Sequence, residues 1–578
     1  MSRRHNPAQS PVPEWVPLAT LGLLVTVAVG APAVSAAIWS HNGWRPNKLA
    51  RLIDAYGNLF HGERIAGAGM SGGAFGYTTV SVGTVALILV SYVGSRLVRH
   101  RGGTRSGFAT SADLAQFSAR SIVKRSRVIL GAHTKDPSKS GFRLGRTLST
   151  RLPVWVSKEL TTLVLAPPRA GKTTCVVAPA VVDHCGPVVA TGVRSDILTW
   201  TLPFRAARGG PMWLCEPMRE PGPLPEGVTA VRWSPLQGCD TLLGAKLRAE
   251  ALFSALAKAS ADDQFWRTAG TSLLGGYLLA AARQNGTILD VLDWIDRDSD
   301  RSPVDVIKSA ATTLDDPIEQ QAMLTASRQL DAAIAQDPRY KAGVTGQAMQ
   351  ALEPFRLPAI QRMCVVPIRE SFDPDDFLAR NGTIWMLGSV SYQSQAAGVC
   401  TALTASIVEC ARTKAAREPD GRLKPPLFLA LDEAVNVAPI PRLDQLLSTG
   451  GGSGIPAMIV VQSMAAARNA WGKEMGDALQ DFSNVKIVLG GLSDAQDLKD
   501  ISDQLGMRDE MVTQTSRRGA APVFGVSDYS HSWRQVPVMT PEEVRTIKSA
   551  ELHHALVIAR DTPGMIVRLE PIYDRRQP

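Results

Sequence analysis

The sequence predicts an α/β fold with a mostly parallel sheet around a phosphate-binding loop, preceded by two apolar segments of membrane-crossing length. Three observations carry this. A short β-branched run, residues 161–166, leads directly into Gly171-Lys172-Thr173 and then a stretch that can be helical. A second apolar run, residues 427–431, ends in Asp432 and Glu433. Residues 16–39 and 76–95 are free of charged side chains.

The chain has 578 residues, 45% of them hydrophobic and 20% charged, which fits two or three folded units and excludes wholesale disorder. Its seven cysteines contain no C-x-x-C pair, which argues against a zinc site or a disulfide framework and for a reducing compartment.

Each uncharged run matches the ~20 residues needed to cross a bilayer. Trp15, Trp39, Tyr77 and Tyr92 lie near their ends, where amphipathic aromatics favour the headgroup layer. Arg3 and Arg4 precede the first span and Arg96, Arg99, Arg101 and Arg105 follow the second, so the positive-inside rule places both flanks in the cytoplasm. A cleaved leader is the alternative for the first run, because small residues at 33–37 have suitable spacing.

The net charge of +9 is concentrated. Residues 96–151 hold 13 Lys and Arg against Asp113 and Asp136, while residues 152–578 hold 43 basic and 48 acidic side chains. The segment 101–160 therefore reads as a basic juxtamembrane linker and the start of the following domain, able to meet anionic lipid or nucleic acid. With the core strands starting at Thr161, a chain beginning near Thr110 is expected to be soluble and keep the nucleotide site.

From Ala166 the loop reads Pro167, Pro168, Arg169, Ala170, Gly171, Lys172, Thr173, Thr174. Strand, loop and helix in this order let successive backbone N–H groups curl around phosphates, with Lys172 as a point charge and the Thr173 hydroxyl on Mg²⁺. Ala166 replaces the first glycine of the usual pattern. The binding residues are thus expected to be Pro168 to Thr174, and the ligand ATP with Mg²⁺.

At the carboxyl end of the acidic strand, Asp432 is expected to share the metal with Thr173, and Glu433 to polarise the attacking water. Serving only as a helix cap is the plainer role for such a pair. Residues 456–461 form another buried-strand pattern ending in Gln462, placed to sense the γ-phosphate or to act as an ordinary turn residue. Lys172, Glu433 and Gln462 are the catalytic candidates. Residues 485–489 and 555–559 can complete the sheet. Residues 241–355 are rich in Ala, Leu and Gln, with apolar side chains such as Leu273, Leu274, Tyr277 and Leu278 at helical spacing.

With these motifs in place, the sequence resembles the TraG/TraD-like type IV coupling proteins. The likeness rests on the Ala-Pro-x-Arg-x-Gly-Lys-Thr loop at 166–173, on Leu431 to Ala434, on Pro441, Arg442 and Leu443 followed by 446–450, on Gly454-Ile455, on Gln462-Ser463, and on the closing 541–544 and 556–559. The resemblance implies a RecA-like P-loop domain over 161–240 and 356–578, an inserted all-α domain over 241–355 that receives cargo, and a membrane anchor over 1–100. It further implies a homo-hexamer in the cytoplasmic (inner) membrane that uses ATP to pass DNA, single-stranded and relaxase-bound, to a type IV secretion channel. Two departures are visible. Residues 450–454 lack the arginine often found there, and after the strand at 188–191 the chain continues through Gly192 to Asp196, where relatives often have Asp-Pro-Lys-Gly. An FtsK-like DNA translocase is the nearest alternative, and a non-hydrolysing docking receptor for the relaxase–DNA complex another.

Overall fold

The computed structural model describes residues 107–576 except 131–133, 257–260, 298, 389–392, 438–439, 441–442 and 518–526. The two expected spans lie outside the described residues. Among the described residues no helix is long and apolar enough to cross a membrane.

Twelve strands form one sheet: β1 (Gly141–Thr147), β2 (Pro153–Ser157), β3 (Thr162–Leu165), β4 (Val188–Gly192), β5 (Met212–Cys215), β6 (Val228–Ala230), β7 (Thr383–Leu387), β8 (Phe428–Leu431), β9 (Ala457–Val461), β10 (Val485–Leu489), and, after a separate two-stranded ribbon of β11 (Met507–Arg517) and β12 (Ser527–Pro537), β13 (His554–Ala559) and β14 (Thr562–Leu569). The order is β2-β1-β14-β13-β10-β3-β9-β8-β4-β7-β5-β6. From β10 to β6 neighbouring strands are parallel; β13, β14, β1 and β2 extend the other edge antiparallel.

Every residue of β3, β4, β7, β8 and β9 is buried, because helices cover both faces of the parallel part. Successive side chains alternate between two cores. Leu163, Leu165, Leu429, Leu431, Ile459 and Val461 point into one, and Val164, Ala166, Phe428, Ala430, Met458 and Val460 into the other. The first core continues into a helical section, where Leu274, Leu278, Ile295, Leu330 and Phe355 join it. This section runs through helices at Leu242–Ser254, Ala261–Arg283, Ile288–Asp296, Ser302–Ala311, Pro317–Ile334 and Pro338–Leu352. Its helix starts are written locally: Thr287 and Asp290 form a capping box, and Asp316 and Asp337 each cap a helix whose next residue is proline.

The basic segment departs from expectation. Strands begin at Gly141, twenty residues before Thr161, because β1 and β2 belong to the sheet. Phe142 and Leu144 alternate with Arg143, and Val154 and Val156 face the core. The arginines masked that period in the sequence. They are also spent locally: Arg143 pairs with Glu570 and Arg125 with Glu159.

One buried cation helps hold the parallel strands. Arg205, 2% exposed, donates to Thr383 Oγ1 at 2.7 Å, His184 O at 2.6 Å and Gly186 O at 2.9 Å. Burial, with Arg208 nearby, lowers its pKa to about 10, so it remains charged at neutral pH. Arg205→Met should strand those acceptors and lower stability by roughly 2–4 kcal/mol. An unchanged urea midpoint would disprove this account.

Candidate nucleotide site

The loop after β3 leaves the sheet at its carboxyl edge, with the Ala166 amide donating to Val461 O of β9 at 3.1 Å. Arg169 (φ 65°) and Gly171 (φ 84°) lie in the left-handed region. Alternating hands turn consecutive backbone N–H groups toward one concave side, the geometry of an anion nest. Glycine enters that region freely, whereas Arg169 stores strain that the loop must over-determine. The chain then enters a wide helical turn over Thr173–Val177, continued by the helix Ala178–Asp183. Such π-type turns recur at functional sites. Pro168 and Arg169 are exposed, Ala170 is buried, and the Thr174 hydroxyl donates back to Gly171 O at 3.3 Å.

β8 lies two strands from β3, with β9 between them, and its end brings the acids to this loop. Asp432 is 3% exposed. Its Oδ2 accepts the Thr173 hydroxyl at 2.7 Å, and the Lys172 ammonium lies 3.2 Å from its Oδ1. Oδ1 accepts no hydrogen bond, so the Lys172 contact there is an ion pair without hydrogen-bond geometry. Lys172 also pairs directly with Glu433, and Gln462 Nε2 donates to Glu433 Oε2 at 2.9 Å and Oε1 at 3.2 Å. Glu433 itself has φ 53°, a left-handed conformation that a non-glycine residue keeps only under constraint.

The charges balance unequally. Burial pushes the Asp432 carboxyl above its usual range despite the opposing pull of Lys172 and Thr173. Burial also opposes the Lys172 charge, but Asp432 and Glu433 together outweigh it and hold the ammonium above its ordinary value. A compact cation held by two carboxylates beside a nest of N–H groups can be drawn away by a polyphosphate.

Among the described residues no group of three or more His, Cys, Asp or Glu could hold a metal. The oxygen pair of Thr173 and Asp432, with an unfilled acceptor on buried Oδ1, instead suits a hard cation that shares its remaining ligands with phosphates and water, as Mg²⁺ does.

All the residues expected at the site from sequence therefore gather on one edge of β3, β8 and β9. Asp196 does not join them; it opens the helix Asp196–Ala206 and accepts the Ile197 amide at 2.9 Å. Two supporting residues were missed. Thr191, at the end of β4, donates to the Asp432 carbonyl at 2.6 Å. Buried Asp497 accepts the Met464 amide at 2.9 Å and so fixes the chain just after Gln462; burial raises its pKa. A threonine in an all-apolar strand was the available signal for the first, while Asp497 has the local pattern of an ordinary first-turn acid.

The family model described as "Type IV secretory system Conjugative DNA transfer" matches residues 110–570. None of the curated proteins compared matches the chain. Among solved structures, the bacterial conjugative coupling protein TrwBdeltaN70 in its unbound monoclinic form aligns with a TM-score of 0.51 at 15% identity, covering 80% of this chain and 92% of that one. The plasmid coupling protein TrwB in complex with ADP and Mg²⁺ gives 0.48 at 15% identity, covering 74% and 89%. VirB4 of Thermoanaerobacter pseudethanolicus gives 0.39 at 15% identity, covering 75% and 96%. The first of these likenesses shows a shared α/β fold with a large mixed sheet.

Proposed function

The chain belongs to the type IV secretory system family of conjugative DNA transfer proteins, and from that premise we propose that it is the ATP-driven motor that couples DNA to the secretion channel. The observation that carries this reading is the cluster of Lys172, Thr173, Asp432, Glu433 and Gln462 at the carboxyl edge of β3, β8 and β9.

In this reading ATP lays its phosphates along the backbone N–H groups of Arg169 to Thr174, with Pro168 leading the chain into the loop, and Lys172 exchanges its carboxylate partners for the β- and γ-phosphates. Thr173 and Asp432 would hold Mg²⁺, which when bound supplies positive charge against the leaving phosphates. Once Lys172 has moved, Glu433 is released to accept a proton from an attacking water. Gln462, bonded to both Glu433 oxygens, reports the presence of the γ-phosphate to the helix Met464–Trp471 behind it.

The remaining assignments are proposed on the same family footing. Residues 16–39 and 76–95 anchor the chain in the cytoplasmic membrane with the motor inside the cell. Six copies form a ring, the helical section 241–355 receives the relaxase-bound single strand, and the channel lies beyond. Residues 152–578 carry a slight acidic excess, so DNA is gripped by a few basic residues in the ring pore rather than by bulk attraction.

The test is phosphate release by the full-length chain with ATP and Mg²⁺, with and without single-stranded DNA. Turnover stimulated several-fold by DNA is expected. A chain that binds ATP and DNA yet releases no phosphate would instead be a docking receptor.

A further inference from the structure

The phosphate loop has two ends, and only one is occupied by the acids. Lys172 and Thr173 face Asp432 and Glu433. The next two residues, Thr174 and Cys175, face the other way, toward the C-terminal strands. Cys175 Sγ lies 3.6 Å from the Thr174 hydroxyl and 3.6 Å from His553 Nδ1. His553, with φ 55°, precedes β13, which runs antiparallel to β10, so it stands at the same edge of the sheet as the loop. β14 returns to that edge and ends in the turn Ile572–Asp574, which packs on Thr173–Val177.

Three aromatic rings meet there. The Tyr573 hydroxyl and His553 Nε2 share a hydrogen bond of 2.9 Å, and the two ring centroids are 6.1 Å apart. Trp200, from the helix Asp196–Ala206 that also packs on Thr173–Val177, lies 6.1 Å from Tyr573 at 56°. Tyr573 is nevertheless 49% exposed. A ring held at its hydroxyl by one neighbour and flanked by another, with half its surface open, is a fixed apolar platform rather than a core residue.

Its position has a chemical meaning that rests on reading residues 168–174 as the phosphate loop. Lys172 reaches the β/γ end of a nucleotide, so the α-phosphate and nucleoside lie beyond Thr174. We propose that Tyr573, walled by Trp200 and His553, is the nucleobase subsite, taking the planar face of a nucleoside triphosphate's base by stacking. Both His553 nitrogens already have partners, Tyr573 Oη and Cys175 Sγ. The platform therefore offers a face to the base, and the C-terminal turn becomes part of the nucleotide site.

Calorimetric titration of the full-length chain with Mg²⁺-ATP and with Mg²⁺-tripolyphosphate, which has no base, tests this. Tyr573→Ala should weaken ATP roughly five- to a hundredfold, the span that loss of one base–aromatic stack produces, and leave tripolyphosphate unchanged. Tyr573→Phe, which keeps the ring, should bind ATP close to wild type. Unchanged ATP affinity in both Tyr573→Ala and Trp200→Ala would overturn the assignment. Equal weakening of both ligands would overturn it too, by showing that Tyr573 only supports the loop. A wild-type chain that binds neither ligand would refute the phosphate loop, and this subsite with it.

Discussion

Lys172→Ala should reduce ATP binding below detection, while Glu433→Gln should bind ATP and hardly cleave it. The two outcomes differ because, in the proposed mechanism, the side chains meet the nucleotide at different stages. Lys172 is the cation of the loop, and without it the triphosphate faces Asp432 and Glu433 with only backbone N–H groups to offset them. Removing it also leaves Asp432 buried beside Glu433 without a counter-charge. The Asp432 carboxyl, already raised by burial, should then take up a proton and lose its value as a cation ligand. Glu433→Gln keeps size, shape and an oxygen for Lys172, and spares the Thr173–Asp432 bond. It removes the carboxylate proposed to accept a proton from water, for which a loss of roughly 10²–10⁴ in turnover is expected. Fluorescent-nucleotide binding and phosphate release, measured on both variants, separate the steps. Wild-type hydrolysis by both would refute the site.

Much of this site was legible in the sequence because its chemistry is local. A phosphate loop must follow a strand, and an acid pair must end one, so Gly171-Lys172-Thr173 and Asp432-Glu433 announce themselves at short range. Their direct contact, 259 residues apart between Thr173 and Asp432, followed from both strands being parallel and buried. Residues that serve by position were silent. Thr191 matters because β4 lies beside β8, and Tyr573 because β14 folds back beside β13, β10 and β3. Neither adjacency has a local signature. The antiparallel edge was hidden for another reason. In β1 each arginine adds to a charge count that suggests a solvated linker, while Phe142 and Leu144 carry the strand.

That edge sets the second large effect. A chain of residues 107–578 should fold and bind nucleotide, whereas one of residues 161–578 should be insoluble. The shorter chain loses Leu114, Phe117, Phe142, Leu144, Val154 and Val156, all within the second core against the sheet that holds β3, and buried Ile122 besides. At about 1.5–3 kcal/mol for each buried side chain, and allowing for a denatured state that already hides part of this surface, the loss is on the order of 10 kcal/mol. That equals a typical domain's whole stability. Removing β1 would also bare β14 as an edge strand, and unpaired edges template aggregation. The fit there is close: at Gly145 an added Cβ would sit 2.0 Å from Arg568 O. Cutting at Thr110 would also remove buried Ala109, which donates to Gly564 O at 2.9 Å, and Gly107, which packs on Val538. Sedimentation and ATP binding of the two truncated chains decide the matter. A soluble, nucleotide-binding 161–578 fragment would mean that the motor begins at β3 and that β1 and β2 are appended to it.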